Sequence, residues 1–217
     1  MRLNAIVDPA RAGGHDIVEL ARHVAEGGAT LVQLRDKGSE TRAMIEKARA
    51  IKAALSPFKV PFVVNDRVDV ALAAHADGVH LGSDDMAVID ARALLGPNAI
   101  IGLSIKTIDD AANAPIELFD YAGVGGVYAT LSKEQTTAPI GTEGFARVAD
   151  ALRNRARNIP IVGIAGIDSS NAGAVIAAGA DGVAVISALS TVQDPAAAAR
   201  ALRQLVDVAL AKRLAPR

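Results

Sequence analysis

Short runs of Val, Ile and Leu alternate along this chain with longer amphipathic segments. A run that is apolar throughout suits a strand buried on both faces, and an amphipathic segment suits the helix that covers it. The alternation therefore predicts a parallel sheet with crossover helices. Strands are predicted at residues 3–7, 30–34, 61–64, 78–81, 99–103, 121–124, 161–164 and 182–186. Helices are predicted at residues 14–26, 39–55, 68–75, 88–95, 107–112, 142–154, 169–178 and 195–212. Eight of each in 217 residues predict an α/β fold, a single (β/α)8 TIM-barrel domain over residues 1–217. A doubly wound open sheet is the alternative. The barrel is favoured because polar residues close nearly every apolar run, whereas an open sheet would gather them at one switch point.

The junctions repeat. Glu26-Gly27-Gly28-Ala29-Thr30, Ala74-His75-Ala76-Asp77-Gly78 and Ala178-Gly179-Ala180-Asp181-Gly182 each join a predicted helix to the next strand. Gly there ends the helix, and the small residues allow helix and strand to approach closely. No low-complexity linker divides the chain. One long connection, residues 125–141, is rich in Gly, Thr and Pro, and connections of that length usually carry function.

Composition narrows the chemistry. With 23 Lys and Arg against 24 Asp and Glu there is no global field to attract nucleic acid or an acidic membrane. Two Tyr, four Phe and no Trp are too few for a base-stacking platform. The absence of Cys excludes disulfides, thiolate catalysis and Cys-based zinc sites. The apolar run at the N-terminus is too short for a signal peptide, and no run reaches the length of a membrane span. The expectation is a soluble, cytoplasmic protein with small-molecule substrates and neither nucleic acid nor membrane as partner; a homo-oligomer is left open.

The polar strand ends carry the candidate chemistry. Gln33, Arg35 and Lys37 alternate to one side of the second strand and reach the barrel mouth. Two cations there suit a diphosphate, Arg as a planar fork and Lys as a point charge; the plainer reading is a surface ion pair with Asp36. Asn65-Asp66 and Asp84-Asp85 follow two adjacent parallel strands. Each pair alone reads as an ordinary helix N-cap. Together, beside a cationic strand end, Asp66 and Asp85 are assigned to Mg²⁺, which commonly uses one or two carboxylates plus phosphate oxygens, while Asp84 is expected at solvent or as a cap. Gly163-Ile164-Ala165-Gly166 and Ile186-Ser187 match the phosphate site after the seventh and eighth strands of such barrels, although Gly there also serves tight turns. Thr130, Ser132 and Lys133 open the long connection, and Ser104 follows the fifth strand. On the residues alone a surface loop is the better reading of the long connection, and Ser104 is similarly ambiguous. His80, inside a strand pattern, reads as a satisfied structural histidine. No Ser–His–Asp set, His-rich metal motif or paired acid and base is evident, so the reaction should rest on electrostatics and positioning.

Taken together, these segments resemble the thiamine phosphate synthase family over nearly the whole chain. The most specific parts are Gln33-Leu34-Arg35-Asp36-Lys37, Asn65-Asp66, residues 76–85, Gly102-Leu103-Ser104, and the turn at 163–167 followed by Ile186-Ser187. The resemblance implies a transferase of thiamine biosynthesis that joins hydroxymethylpyrimidine diphosphate to thiazole phosphate, releasing diphosphate. It implies pyrimidine diphosphate contacts at Gln33, Leu34, Arg35, Asp36, Lys37, Asn65, Ser104 and Lys133. It implies thiazole phosphate contacts at Thr130, Leu131, Ser132, Gly166, Ile186 and Ser187, and one Mg²⁺ per subunit on Asp66 and Asp85. Arg35, Lys37, Ser104 and Lys133 are implied as catalytic. The implied mechanism is dissociative: diphosphate leaves first, and the thiazole nitrogen captures the pyrimidine carbocation without needing a base. Departures from the family pattern fall at Ser83, Ala165, Gly126, Ala129, Leu131 and Lys106.

Two rivals share the barrel. A thiazole tautomerase would use a His where Lys106 stands. A non-catalytic thiazole-phosphate-binding barrel would need neither Asp66 nor Asp85. Retention of both carboxylates with Arg35 and Lys37 favours the synthase.

Overall fold

The computed structural model describes residues 1–130 and 138–215. Eight parallel strands, β1 (Leu3–Val7), β2 (Leu31–Leu34), β3 (Phe62–Asn65), β4 (Gly78–Leu81), β5 (Ile100–Ile105), β6 (Tyr121–Val124), β7 (Ile161–Ile164) and β8 (Gly182–Val185), pair in chain order, and β8 returns to β1. The sheet is a closed barrel. Around it lie α1 (Ile17–Glu26), α2 (Thr41–Leu55), α3 (Val68–Ala74), α4 (Val88–Leu95), α5 (Ile108–Asn113), α6 (Gly141–Arg155), α7 (Ala172–Ala177), α8 (Ser187–Ser190) and α9 (Pro195–Leu214).

The continuous apolar runs follow from this closure, because every strand is covered on both faces. Ile6, Leu31, Val63, Tyr121, Val162 and Ala184 turn inward and fill the barrel. Their neighbours Ala5, Val7, Val32, Leu34, Val64 and Ile161 turn outward into the layer shared with the helices. Asn4, Gln33 and His80 are also buried, and their polar atoms run up the barrel toward its C-terminal end.

The repeated junctions have a structural cause at the opposite end. Asp77, Asp120 and Asp181 each precede a strand and accept a backbone N–H at or next to the start of the strand before it, from Phe62 (2.7 Å), Ile101 (2.7 Å) and Ile161 (2.9 Å). Each carboxylate also binds a cation of the helix layer, Lys52, Arg92 and Arg153 respectively. Strand starts that would be short of acceptors are thereby closed at alternate positions, which fixes the N-terminal face and leaves the C-terminal face for chemistry.

Element ends shift from the predicted ones where side chains intervene. Helix α1 begins at Ile17 rather than residue 14 because Asp16 caps it, accepting from Val18 and Glu19. Helix α5 begins after Thr107, which forms a capping box with Asp110. Strand β2 begins at Leu31 because the Thr30 hydroxyl oxygen accepts the N–H groups of Arg2 (2.9 Å) and Leu3 (3.0 Å). Helix α8 is not foreseen; four residues are too few to show a helical period. Among the described residues, no helix is long and apolar enough to cross a membrane.

Candidate active site

The C-terminal ends of the strands surround a cavity of about 300 Å³. Gln33, Arg35, Asn65 and Ser104 line it from β2, β3 and β5, and Thr130, Gly166, Ile186 and Ser187 line it from the other side. These residues lie far apart in sequence, and barrel closure alone brings them together. A larger groove of about 720 Å³ opens at the N-terminal end between α2, α3 and α4, but none of the predicted site residues lines it.

The β2–β4 side is charged. Arg35, only partly exposed, pairs with the buried carboxylate of Asp8 at the end of β1. Asp8 is itself fixed by the N–H of Ala10 at 2.9 Å. The guanidinium is thus held with its remaining donors available to the cavity it lines. Lys37, more than half exposed, pairs with Asp66. Asp66 sits at φ 65°, a left-handed conformation that Asp tolerates better than most residues, and its N–H donates to His80 O at 2.8 Å. Asp85 accepts the N–H of Gly82 at 2.7 Å. Burial and the adjacent Asp66 carboxylate raise the Asp85 pKa above its ordinary value, while Lys37 and the Gly82 amide oppose the rise.

Neither acidic pair caps a helix. The N-terminal caps of α3 and α4 are Arg67 and Ala87, and neither helix has a side-chain cap bond. Two like-charged carboxylates held together without a capping duty suit a cation. Among the described residues no group of three or more His, Cys, Asp or Glu gathers, so a metal here would need oxygen ligands from substrate or water as well.

The β7–β8 side is made of backbone and small residues. Ala165 and Gly166 both have positive φ, 80° and 64°, so the chain after β7 turns back on itself at the cavity wall. A Cβ on Gly166 would lie 2.4 Å from Ala129 O and 2.8 Å from Tyr128 Cβ, so both conformation and space require glycine. Gly163 differs: its absent side chain faces Val175, Ile167 and Phe145, so it serves helix packing and not the cavity. Ser187 begins the short helix α8 directly after Ile186.

Between the two sides, Ser104 connects downward into the barrel. His80 Nε2 is 3.0 Å from Ser104 Oγ, and His80 Nδ1 is 2.9 Å from the Tyr121 hydroxyl. Burial pushes the Tyr121 pKa up, against the nearby amides of Gln33 and Asn4. His80 is satisfied by these partners, as expected for a structural histidine, yet it also lines the cavity.

Two predicted contacts have side chains turned away from the mouth. Leu34 packs fully buried between sheet and helices, as strand alternation requires of a residue next to inward Gln33. Asp36 is tied to Lys47 of α2 and accepts N–H groups of Gly38 (3.1 Å) and Ser39 (3.0 Å), so it shapes the β2–α2 loop. Leu131, Ser132 and Lys133 lie outside the described residues. Asp84, expected at solvent or as a cap, is exposed and also borders the cavity. Asp8 and Lys106 join the site without having been singled out for it. The signal for Asp8 was the one used for Asp66, a carboxylate closing a strand.

Known proteins similar to this chain bear directly on the site. A sequence model of the thiamine monophosphate synthase family matches residues 3–189. The thiamine-phosphate synthase of Agrobacterium fabrum is 50% identical over 212 residues, covering 98% of this chain and 96% of that protein. That of Moorella thermoacetica is 46% identical over 210 residues, covering 97% and 98%. The solved structure of thiamine phosphate pyrophosphorylase from Pyrococcus furiosus superposes with a TM-score of 0.84 at 37% identity, covering 96% of each chain. With a barrel closed in the same way and similarity running end to end, the chain belongs to the thiamine monophosphate synthase family.

Proposed function

We propose that the chain joins hydroxymethylpyrimidine diphosphate to thiazole phosphate, giving thiamine phosphate and diphosphate. The observation that carries this reading is one cavity lined by Arg35, Asn65 and Ser104 on one side and by the glycine turn of β7–β8 on the other, with the Lys37–Asp66 ion pair and Asp85 at the neighbouring strand ends. One diphosphate site and one phosphate site meet at a distance that a single small cavity spans.

The residues divide the work by charge. Arg35 and Lys37 bind the diphosphate and stabilise the negative charge that builds on it as the carbon–oxygen bond lengthens, with Ser104 and Asn65 donating from the cavity wall. Lys133 is assigned the same task. The backbone at Gly166, Ile186 and Ser187, with Thr130, holds the thiazole phosphate, and Leu131 and Ser132 are assigned to that side. Ile6, Ile164 and Ile186 supply an apolar lining that keeps water from the carbocation until the thiazole nitrogen captures it. That nitrogen attacks without losing a proton, so the step needs no general base.

Asp66 and Asp85 fit one Mg²⁺, because burial and the neighbouring Asp66 carboxylate both disfavour an ionised Asp85, and a divalent cation offsets both. The bound ion would supply charge neutralisation at the departing diphosphate.

The test is diphosphate release from the pyrimidine diphosphate, followed with and without thiazole phosphate and Mg²⁺, alongside thiamine phosphate. The expected result is metal-dependent release matched by equal thiamine phosphate. No release, with thiazole phosphate bound or isomerised instead, would sink this reading.

A further inference from the structure

The interior of the barrel holds a polar chain that the reaction scheme does not use. Tyr121, His80 and Gly102 lie at one level on adjacent strands, since β4 pairs His80 with Gly102 and β6 pairs Tyr121 with Gly102. A Cβ on Gly102 would fall 2.2 Å from Tyr121 Cζ and 2.4 Å from His80 Nδ1, and one on Gly123 would fall 3.0 Å from His80 Cε1. Two strands thus carry glycine where the two rings meet. Above them His80 Nε2 reaches Ser104 Oγ in the cavity wall.

The direction of these hydrogen bonds follows from what each group can donate. The Tyr121 oxygen is buried and has one proton and two acceptor sites. By distance it has one hydrogen-bond partner among the described residues, His80 Nδ1, with the Asn4 and Gln33 amides nearby. Asn4 Oδ1 has no hydrogen-bond partner, so the phenol proton does not go there. Were the phenol to accept from His80, its own buried proton would lack an acceptor, so the phenol donates to His80 Nδ1 at 2.9 Å. A neutral imidazole that accepts at Nδ1 carries its proton at Nε2, and that proton points at Ser104 Oγ, 3.0 Å away.

We infer that Tyr121 holds His80 in the tautomer protonated at Nε2, and that His80 is a positioning residue which makes Ser104 present its hydroxyl proton to the cavity. In the opposite tautomer Ser104 would donate downward to His80 and turn lone pairs toward an anion. With Nε2 protonated, Ser104 is a preset donor to the departing diphosphate, strongest when that group carries most charge. The consequence for rate rests on the function proposed above; the tautomer does not.

The experiment therefore has two parts. The full-length protein is labelled with nitrogen-15 in its histidines, and imidazole nitrogen–proton correlations are recorded at neutral pH without substrate. The His80 signals are assigned by their loss in His80→Gln. Protonation at Nε2 alone is expected, with the other tautomer appearing in Tyr121→Phe. Protonation at Nδ1 in the unaltered protein would overturn the inference. In turnover, His80→Leu should lower kcat roughly ten- to a hundredfold, the worth of one hydrogen bond to a charged group, with KM for the pyrimidine diphosphate nearly unchanged. His80→Gln places an amide nitrogen near the Nε2 position and should recover most of that loss. Equal loss in both folded variants would overturn the positioning role. A protein that shows Nε2 protonation but makes no thiamine phosphate would refute the functional reading and leave the hydrogen-bond direction standing.

Discussion

The two sides of the barrel mouth are built by different means. On the β2–β4 side the groups are charged side chains, with Arg35 braced by Asp8 and Lys37 by Asp66, and with Asp85 alongside. On the β7–β8 side they are backbone and small residues, turned by Ala165 and Gly166 at positive φ. The contrast matches what happens to each anion in the proposed reaction. The diphosphate gains charge as it leaves, and only groups that respond to new charge lower that barrier. The thiazole phosphate has the same charge before and after, so uniform binding by backbone amides is enough. One side serves kcat, the other KM.

The largest effect is expected from breaking the carboxylate pair. Asp66→Asn keeps a residue that tolerates φ 65°, and Asp85→Asn keeps the shape of an acceptor for Gly82, so neither should unfold the barrel. Turnover should fall by about a hundredfold or more in each, in line with the loss of a group that stabilises developing charge. Stability should move the other way in Asp66→Asn. The raised Asp85 pKa means that its ionised form costs stability above that pKa, a cost that vanishes as pH falls below the ordinary carboxylate range. Removing the Asp66 charge removes part of that cost at neutral pH. Mg²⁺ should raise the melting temperature of the unaltered protein more at pH 8 than at pH 5 and leave both variants nearly unmoved. Near-normal turnover in either variant would end the assignment to metal.

Gly166→Ala tests the opposite side. Its Cβ would press on Ala129 O and Tyr128 at a backbone conformation costly for alanine, for about 1–3 kcal/mol of lost stability by denaturant unfolding. The turn must shift, so KM for thiazole phosphate should rise roughly tenfold, the worth of one weakened hydrogen bond to a charged group, with kcat changed far less. A fall in kcat as large as that of the carboxylate variants, at unchanged KM, would erase the distinction between the sides.

What could be read in the sequence divides along the same line. Strand cores are legible because burial on both faces forces a continuous apolar run, and Gln33, Arg35, Asp66 and Asp85 are legible because charges closing such runs are conspicuous. Backbone geometry is less so: Gly163 and Gly166 look alike three residues apart, yet one accommodates α7 and the other turns at the cavity. Polar residues inside strands are hardest. His80 and Tyr121 look like core positions, and only barrel closure brings Tyr121 of β6, His80 of β4 and Ser104 of β5 into one chain of hydrogen bonds. For Asp36 the residues alone suggest a surface ion pair with Arg35 and Lys37, and the resemblance implies a diphosphate contact; its side chain is claimed by Lys47, which sequence spacing does not reveal.

Asp36 also gives the smallest effect on chemistry and a clean one on stability. Burial works against its ionisation, but the Lys47 ammonium, the Ser39 hydroxyl and the amides of Ser39 and Gly38 outweigh it and lower the pKa to about 2. A depressed carboxyl contributes stability that is present above its unfolded pKa and lost as pH falls through the folded one, here between about pH 4 and pH 2. Asp36→Asn should therefore cost about 1–2 kcal/mol at neutral pH and flatten the acid limb of the stability curve over that window. Because the side chain points away from the mouth, kcat should change only by the looseness passed to Arg35 and Lys37, about two- to fivefold, the scale of a positioning defect of under one kcal/mol. A loss comparable to that of Asp66→Asn would mean that Asp36 meets the diphosphate after all. A negligible change would mean that Asp8 and Asp66 alone hold the cations in place, with the β2–α2 loop free to vary beneath them.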